Sequence, residues 1–302
     1  SFTWLTMRPM SLYESNESTG EVSLEELFTT PKQITGANSI DIDNLAFEIC
    51  RGGWPHAVRK GKKAALSQAI DYYDAVIKSD INRADGVNKS PERVKRLMKS
   101  FARNQGAQVA NTVLKADIQV NDTESLNEDT IASYINALKK IFVVEDMPAW
   151  NPNLRSKTAI RTTDTRYYID SSIATAALGI GPNDLINDLN TMGLLFETMC
   201  VRDLRVYTEY LGGEVLHYRD KLGLECDTVI HLRNGKYGLA EIKLGGQKLI
   251  EEGAINLKSL ADKIDTTKMP APSFMMIVVG IGDFAYRRAD GIYIVPIGCL
   301  KN

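Results

Sequence analysis

Leu224-Glu225-Cys226-Asp227-Thr228-Val229-Ile230-His231-Leu232, then Arg233-Asn234-Gly235, then Lys236-Tyr237-Gly238-Leu239-Ala240-Glu241-Ile242-Lys243-Leu244, is the part of the sequence that most constrains the fold. Two β-prone runs, 224–232 and 236–244, flank a turn-forming triplet, which is the pattern of a hairpin. Loop length fixes which residues face each other. A two-residue Asn234-Gly235 loop sets Asp227 opposite Ile242 and sends Asp227 and Glu241 to opposite faces. A three-residue loop, with Gly235 left-handed, pairs Asp227 with Glu241 instead. The three-residue loop is predicted. Period two along the second strand then puts Glu241 and Lys243 on one face.

Working outward, residues 189–211 form a long helix that is apolar on most of its circumference through Met192, Leu194, Leu195, Phe196, Met199, Val201 and Leu204. Glu197 emerges among those neighbours and needs a partner. Gly212-Gly213 stops the helix, and a first strand follows at 214–219. Beyond the hairpin, Ile250, Ala254, Leu257, Ala261 and Ile264 trace an amphipathic helix, and 274–280 is an apolar strand. Helix, three strands, helix, strand is the α-β-β-β-α-β order of restriction-endonuclease-like proteins. Asp227 and Glu241-Ile242-Lys243 reproduce the spacing Asp-x13-Glu-x-Lys of PD-(D/E)XK nucleases, and Glu197 supplies an extra carboxylate. Asp227, Glu241 and the Ile242 carbonyl make an oxygen site suited to Mg²⁺ or Mn²⁺, with Lys243 orienting or deprotonating a water. The catalytic candidates are Glu197, Asp227, Glu241 and Lys243. The competing reading is an ion-paired patch on a half-exposed hairpin, which a charge-rich strand pair forms without metal and which Glu225 would also fit.

Upstream, residues 1–45 read as an irregular approach with one short helix candidate at 24–28. Arg51-Gly52-Gly53-Trp54-Pro55 turns the chain into a helical region carrying Ala65, Ala69, Tyr72, Tyr73 and Val76, and the basic residues Arg59, Lys60, Lys62 and Lys63 read as a solvated face. Ser90-Pro91-Glu92 starts a helix with the stripe Val94, Leu97, Met98 and Phe101. A shorter helix at 107–115 follows. Ser125-Leu126-Asn127-Glu128 then caps a third, carrying Ile131, Tyr134, Ile135, Leu138 and Ile141. Segments 142–145 and 166–170 can pair as a two-stranded wing, so a winged helix-turn-helix is expected over 90–170. Its nucleic-acid candidates are Arg155, Lys157, Arg161 and Arg166 of the wing with Lys139 and Lys140 of the helix. Glu128 and Asp129 on that helix argue against DNA, and docking of a protein partner is the alternative.

Composition restricts the classes further. The chain has 302 residues, 44% apolar and 25% charged, and a formal charge of −2, so it is globular material without a polybasic character. Cys50, Cys200, Cys226 and Cys299 are scattered, without zinc-ligand spacing, and read as reduced thiols of a cytoplasmic protein. The longest apolar run falls far short of a membrane helix, and G-x-x-x-x-G-K-[ST] is absent, so neither a membrane nor ATP at a P-loop is expected as a partner.

Met7-Arg8-Pro9-Met10-Ser11-Leu12, Arg51-Gly52-Gly53-Trp54-Pro55, Tyr168-Ile169-Asp170-Ser171-Ser172-Ile173-Ala174 and Gly238-Leu239-Ala240-Glu241-Ile242-Lys243-Leu244-Gly245 together carry a resemblance across nearly all the chain from Met7 onward. It resembles the C-terminal region of bacterial and archaeal AAA-family ATPases that carry domain of unknown function 4143 (DUF4143). The resemblance implies a winged helix joined to a restriction-endonuclease-like domain, following an ATPase core missing from this sequence, so a fragment or a truncated relative is expected. It implies no defined reaction. Gln247 is followed by Glu251 and not tyrosine, a departure from exonuclease-like members. The division expected is 1–89 (linker and helical segment), 90–170 (winged helix) and 171–302 (nuclease-like). The function expected is a DNA-directed module of an ATPase with a divalent-metal phosphodiesterase site, the alternative being a non-catalytic regulatory or protein-interaction module.

Overall fold

A computed structural model describes residues 5–29, 34–84, 86–119, 127–152 and 163–302. The chain opens with β1 (Val22–Ser23), α1 (Leu24–Thr29) and β2 (Gly36–Ala37). A helical region follows: α2 (Ile42–Arg51), α3 (Pro55–Val58), α4 (Lys62–Ala75), a π-helical stretch at Val76–Asp80, α5 (Ile81–Arg83), α6 (Pro91–Arg103), α7 (Asn111–Gln119) and α8 (Glu128–Lys140). Strands β3 (Val144–Met147) and β4 (Thr165–Tyr168) lead to α9 (Ser171–Leu178), α10 (Pro182–Asn187) and α11 (Leu189–Tyr210). The remainder is β5 (Gly213–Arg219), β6 (Glu225–Leu232), β7 (Tyr237–Lys243), α12 (Gln247–Asp262), β8 (Met275–Val279), β9 (Phe284–Arg287), β10 (Tyr293–Pro296) and β11 (Leu300–Lys301).

Local chemistry explains the helix starts. Ser90 is extended before Pro91, and Val94, Leu97, Met98 and Phe101 are buried along one side of α6. The Asn127 side chain accepts from the Thr130 N–H at 2.7 Å and caps α8. Asp188 does the same for α11, accepting from the N–H groups of Asn190 and Thr191 at 3.2 Å each. Three helices and the antiparallel β3–β4 ladder thus occur in the expected order, with the ladder at 144–147 and 165–168, displaced by a residue or two from the expected segments.

The fold is mixed α/β around a seven-stranded sheet of order β2-β9-β10-β8-β7-β6-β5. The pairs β7–β8 and β8–β10 are parallel, and the other four are antiparallel. Alternate residues of β7 and β8 enter different cores. Ala240, Ile242, Met276 and Val278 join the α11 side and the helical region, whereas Leu239, Ile277 and Val279 join Ile250, Ala254 and Leu257 of α12. The two helices therefore cover opposite faces of the sheet. The segment before residue 45, read as irregular, instead supplies sheet structure: β1 pairs in parallel with β11, and β2 forms the edge beside β9. These strands have two residues each, too short to leave a periodic pattern.

Three of the four motifs behind the resemblance, those at Met7–Leu12, Arg51–Pro55 and Tyr168–Ala174, meet at a buried charge cluster. Arg202 lies 2.9 Å from Asp170 and 2.7 Å from Asp203, and all three side chains are nearly inaccessible. The Leu12 N–H donates to Asp203 at 3.0 Å, the Gly53 N–H to Asp170 at 2.9 Å, and the Trp54 indole to Ser172 Oγ at 2.9 Å. Gly52 has φ +72°, and a Cβ there would lie 2.2 Å from Asp170 Oδ1; one on Gly53 would lie 2.0 Å from the Met10 carbonyl. The paired glycines are therefore a steric requirement of this junction.

Candidate functional site

The hairpin geometry places the carboxylates. His231 pairs with Tyr237 and Thr228 with Ala240, the Leu232 N–H donates to the Lys236 carbonyl, and Gly235 sits at φ +83°. The loop is thus the three-residue one; the ladder ends at Thr228–Ala240, one residue short of the expected Asp227–Glu241 pair, and the two carboxylates meet on the Lys243 ammonium instead. On its other side β6 is bulged. Leu216 pairs with Val229 and Tyr218 with Cys226, which leaves Asp227 and Thr228 opposite His217 alone. Such a bulge interrupts the ladder and re-aims a side chain. Asp227 Oδ2 accepts from the Ile242 N–H at 2.8 Å, in the gap where β6 and β7 stop pairing.

Lys243 closes the cluster. Its Nζ lies 3.1 Å from Asp227 Oδ2 and 2.6 Å from Glu241 Oε2. Gly253 of α12 leaves room above the strand, since a Cβ there would meet Glu241 Cβ at 3.4 Å and Lys243 Cε at 3.6 Å. Glu241 is 1% exposed, and its Oε1 has no hydrogen-bond partner. Burial and then the Asp227 carboxylate push the Glu241 carboxyl well above the usual carboxylate range. Burial works to lower the Lys243 ammonium, but Asp227 and then Glu241 outweigh it and hold the amine charged above its ordinary value. That favours an orienting, charge-donating lysine over a proton-accepting one.

Glu197 lies beside this cluster without bonding to Asp227, Glu241 or Lys243. Its Oε1 accepts the Tyr167 hydroxyl of β4 at 2.7 Å. Burial and then Asp227 raise the Glu197 carboxyl, against the Tyr167 hydrogen bond, which lowers it. A Cβ on Gly106, in the α6–α7 turn, would lie 2.5 Å from that same Glu197 oxygen. Tyr167, Gly106 and the bulge at Asp227 escape sequence reasoning: β4 shows only its apolar alternation, the Gly106 contact is long-range, and the bulge leaves no local signature.

The fit to a cation follows from the donor set. Among the described residues, no group of three or more His, Cys, Asp or Glu side chains is gathered to hold a metal. A cation at the cluster would therefore rest on Asp227, Glu241 and the Ile242 carbonyl. That carbonyl leaves the strand on the same edge as the Ile242 N–H, toward Asp227. Two carboxylates, a carbonyl and water suit Mg²⁺, which keeps several waters. The partnerless Glu241 oxygen fits the same assignment, because a buried carboxylate atom without a donor or cation is costly.

Of the nucleic-acid candidates, Lys139, Lys140 and Arg166 lie among the described residues. Lys139 and Arg166 both turn onto Asp146, Arg166 at 3.3 Å. Lys140 is exposed, and Arg155, Lys157 and Arg161 lie outside the described residues. Two cavities, of about 310 and 520 Å³, lie elsewhere, around Arg8 and Glu209. Arg8 there joins Glu145 and Glu209, tying the N-terminal segment to β3 and α11. The four cysteines are unpaired and buried, and no helix among the described residues is long and apolar enough to cross a membrane.

Fold and site together define a mixed α/β protein with a helical unit, a sheet unit, and a carboxylate–lysine cluster at a break between two strands. Residues 192–300 match the family model described as domain of unknown function (DUF4143), and residues 42–184 match domain of unknown function (DUF8612). The first range runs from α11 to β11 and holds the entire carboxylate–lysine cluster; the second holds Gly106 and Tyr167. No curated protein and no solved structure matches the chain.

Proposed function

We propose that Asp227, Glu241 and Lys243, with Glu197 beside them, form a divalent-cation phosphodiesterase site of the nuclease type, carried by a DNA-directed module associated with an ATPase. The observation that carries the reading is Glu241: a nearly inaccessible carboxylate with one oxygen lacking a hydrogen-bond partner, sharing the Lys243 ammonium with Asp227. The DUF4143 match is compatible with association with an ATPase, and the helix, three-strand, helix, strand order around the cluster supports a nuclease-like core. A divalent cation supplies, when bound, neutralisation of phosphate charge and activation of a water. Asp227, Glu241 and the Ile242 carbonyl would hold it. Lys243, kept charged by both carboxylates, would donate to a phosphate oxygen or to the attacking water.

A second reading is favoured by one observation: Lys243 spans both carboxylates, and Asp146 likewise engages Lys139 and Arg166. In that reading both units are regulatory or protein-interaction modules, and the cluster is an ion pair. Cleavage of single- and double-stranded DNA and RNA with Mg²⁺ or Mn²⁺ separates the two. The nuclease reading expects cleavage by the intact protein, lost in Asp227→Ala and in Lys243→Ala; cleavage unchanged in both variants, or absent from the intact protein, moves the interaction module to first place.

A further inference from the structure

Among the described residues, the helical unit meets Glu197 through β4 and the α6–α7 turn, and meets β5 through the segment after β3, where the Trp150 N–H donates to the His217 carbonyl at 2.6 Å. Strand β4 carries Tyr167, which is 2% exposed, and its hydroxyl donates to Glu197 Oε1 at 2.7 Å. Four contacts hold the strand and ring that carry the hydroxyl. The Gly106 N–H donates to the Arg166 carbonyl at 3.1 Å, holding the α6–α7 turn against β4. Gln105 Oε1 accepts from the Tyr168 N–H at 2.7 Å and from the Thr198 hydroxyl at 3.4 Å, joining that turn to both β4 and α11 beside Glu197. The Arg205 guanidinium lies 5.8 Å from the Tyr167 ring centre. Gly106 then closes over the same Glu197 oxygen so tightly that a methyl group there would collide with it.

We infer that Tyr167 is the positioning residue for Glu197, so that the β3–β4 hairpin of the helical unit regulates cation binding in the DUF4143 region. The inference rests on the cation-site reading above. One Glu197 oxygen is committed to Tyr167, which restricts the carboxylate to a narrow set of rotamers next to Asp227. A carboxyl so fixed presents its oxygens to the cluster from a defined position, as an outer partner does for the ligands of a metal. Moving β4 withdraws the hydroxyl, frees the Glu197 side chain and weakens the cation's hold without breaking a hydrogen bond of Asp227 or Glu241.

The test is calorimetric titration of the full chain with Mn²⁺, comparing the intact protein with Tyr167→Phe, Glu197→Gln, the double variant and Asp227→Asn, each with its thermal midpoint. Tyr167→Phe keeps the ring and its contact with Arg205, and Glu197→Gln keeps an acceptor for the hydroxyl. The expected result is Mn²⁺ affinity lowered roughly tenfold to a hundredfold in Tyr167→Phe and in Glu197→Gln, the range for loss of an outer partner, and abolished in Asp227→Asn. The double variant should be no weaker than Glu197→Gln alone. Tyr167→Phe binding Mn²⁺ as tightly as the intact protein, with Asp227→Asn binding none, would overturn the inference and leave the cation site standing. Additive losses in the double variant that follow the thermal midpoints would overturn it too, by making Tyr167 merely structural. No Mn²⁺ binding by the intact protein would overturn both readings together.

Discussion

At the scale of single residues, the account depends on what Lys243 does when no divalent cation is present. Its ammonium is the counter-charge for Asp227 and Glu241 in a largely buried setting. Removing one partner of such a group leaves uncompensated charge, so Lys243→Met should destabilise the chain by about 3 kcal/mol in chemical denaturation without divalent ions. Saturating Mn²⁺ should restore most of that loss; a deficit untouched by Mn²⁺ would make the cluster an ion pair only. His217 offers a test by pH. It is 3% exposed, its Nε2 is unpartnered, and burial first of all pushes its pKa from 6.5 down to about 4. At this site the unfolded chain therefore binds more protons between those values, and the contribution of His217 to stability should be complete above about pH 6.5 and be lost as pH drops toward about 4. His217→Phe should flatten that part of the profile, and an unchanged slope would contradict the assignment.

At the scale of elements, the β6–β7 hairpin was legible because the Arg233-Asn234-Gly235 turn and the period of two act within a few residues. Gly235 has open space around it, so Gly235→Ala should cost only the left-handed backbone penalty, about 1–2 kcal/mol, measured by denaturant unfolding. Gly52→Ala meets the same positive φ and also collides with Asp170, and should cost at least about 3 kcal/mol, combining backbone strain with a broken buried network. Equal costs at the two positions would mean that Gly52 is needed for its backbone alone. The α11, α6 and α8 stripes were readable for the same reason as the hairpin. What remained illegible was set by distant partners: β2 and β1 become strands only because β9 and β11 lie beside them. Register on the β5 side depends on a bulge at Asp227 and Thr228 that no local pattern announces.

At the scale of the whole molecule, one hydrophobic core runs from Leu12 through the helical region to Leu300, and the Arg202 cluster lies within it. The sequence motifs marked that junction without revealing that Met10–Leu12, Gly52–Trp54 and Asp170–Ser172 converge on it, because contacts across more than a hundred residues leave no periodicity. Arg202→Met should therefore destabilise the chain by about 3–5 kcal/mol, the cost of leaving buried carboxylates without their cation, and should loosen both matched regions in one transition when hydrogen exchange is followed across the chain. Protection lost from only one of them would mean that the two regions fold separately. The candidate site depends on the same continuity, since Glu197 of α11 meets Tyr167 and Gly106 of the helical unit. Calorimetric titration of the intact protein and of Asp227→Ala with Mn²⁺ decides whether the cluster is a cation site. A cation site gives saturable binding by the intact protein that Asp227→Ala abolishes, and absence of binding by the intact protein would contradict it.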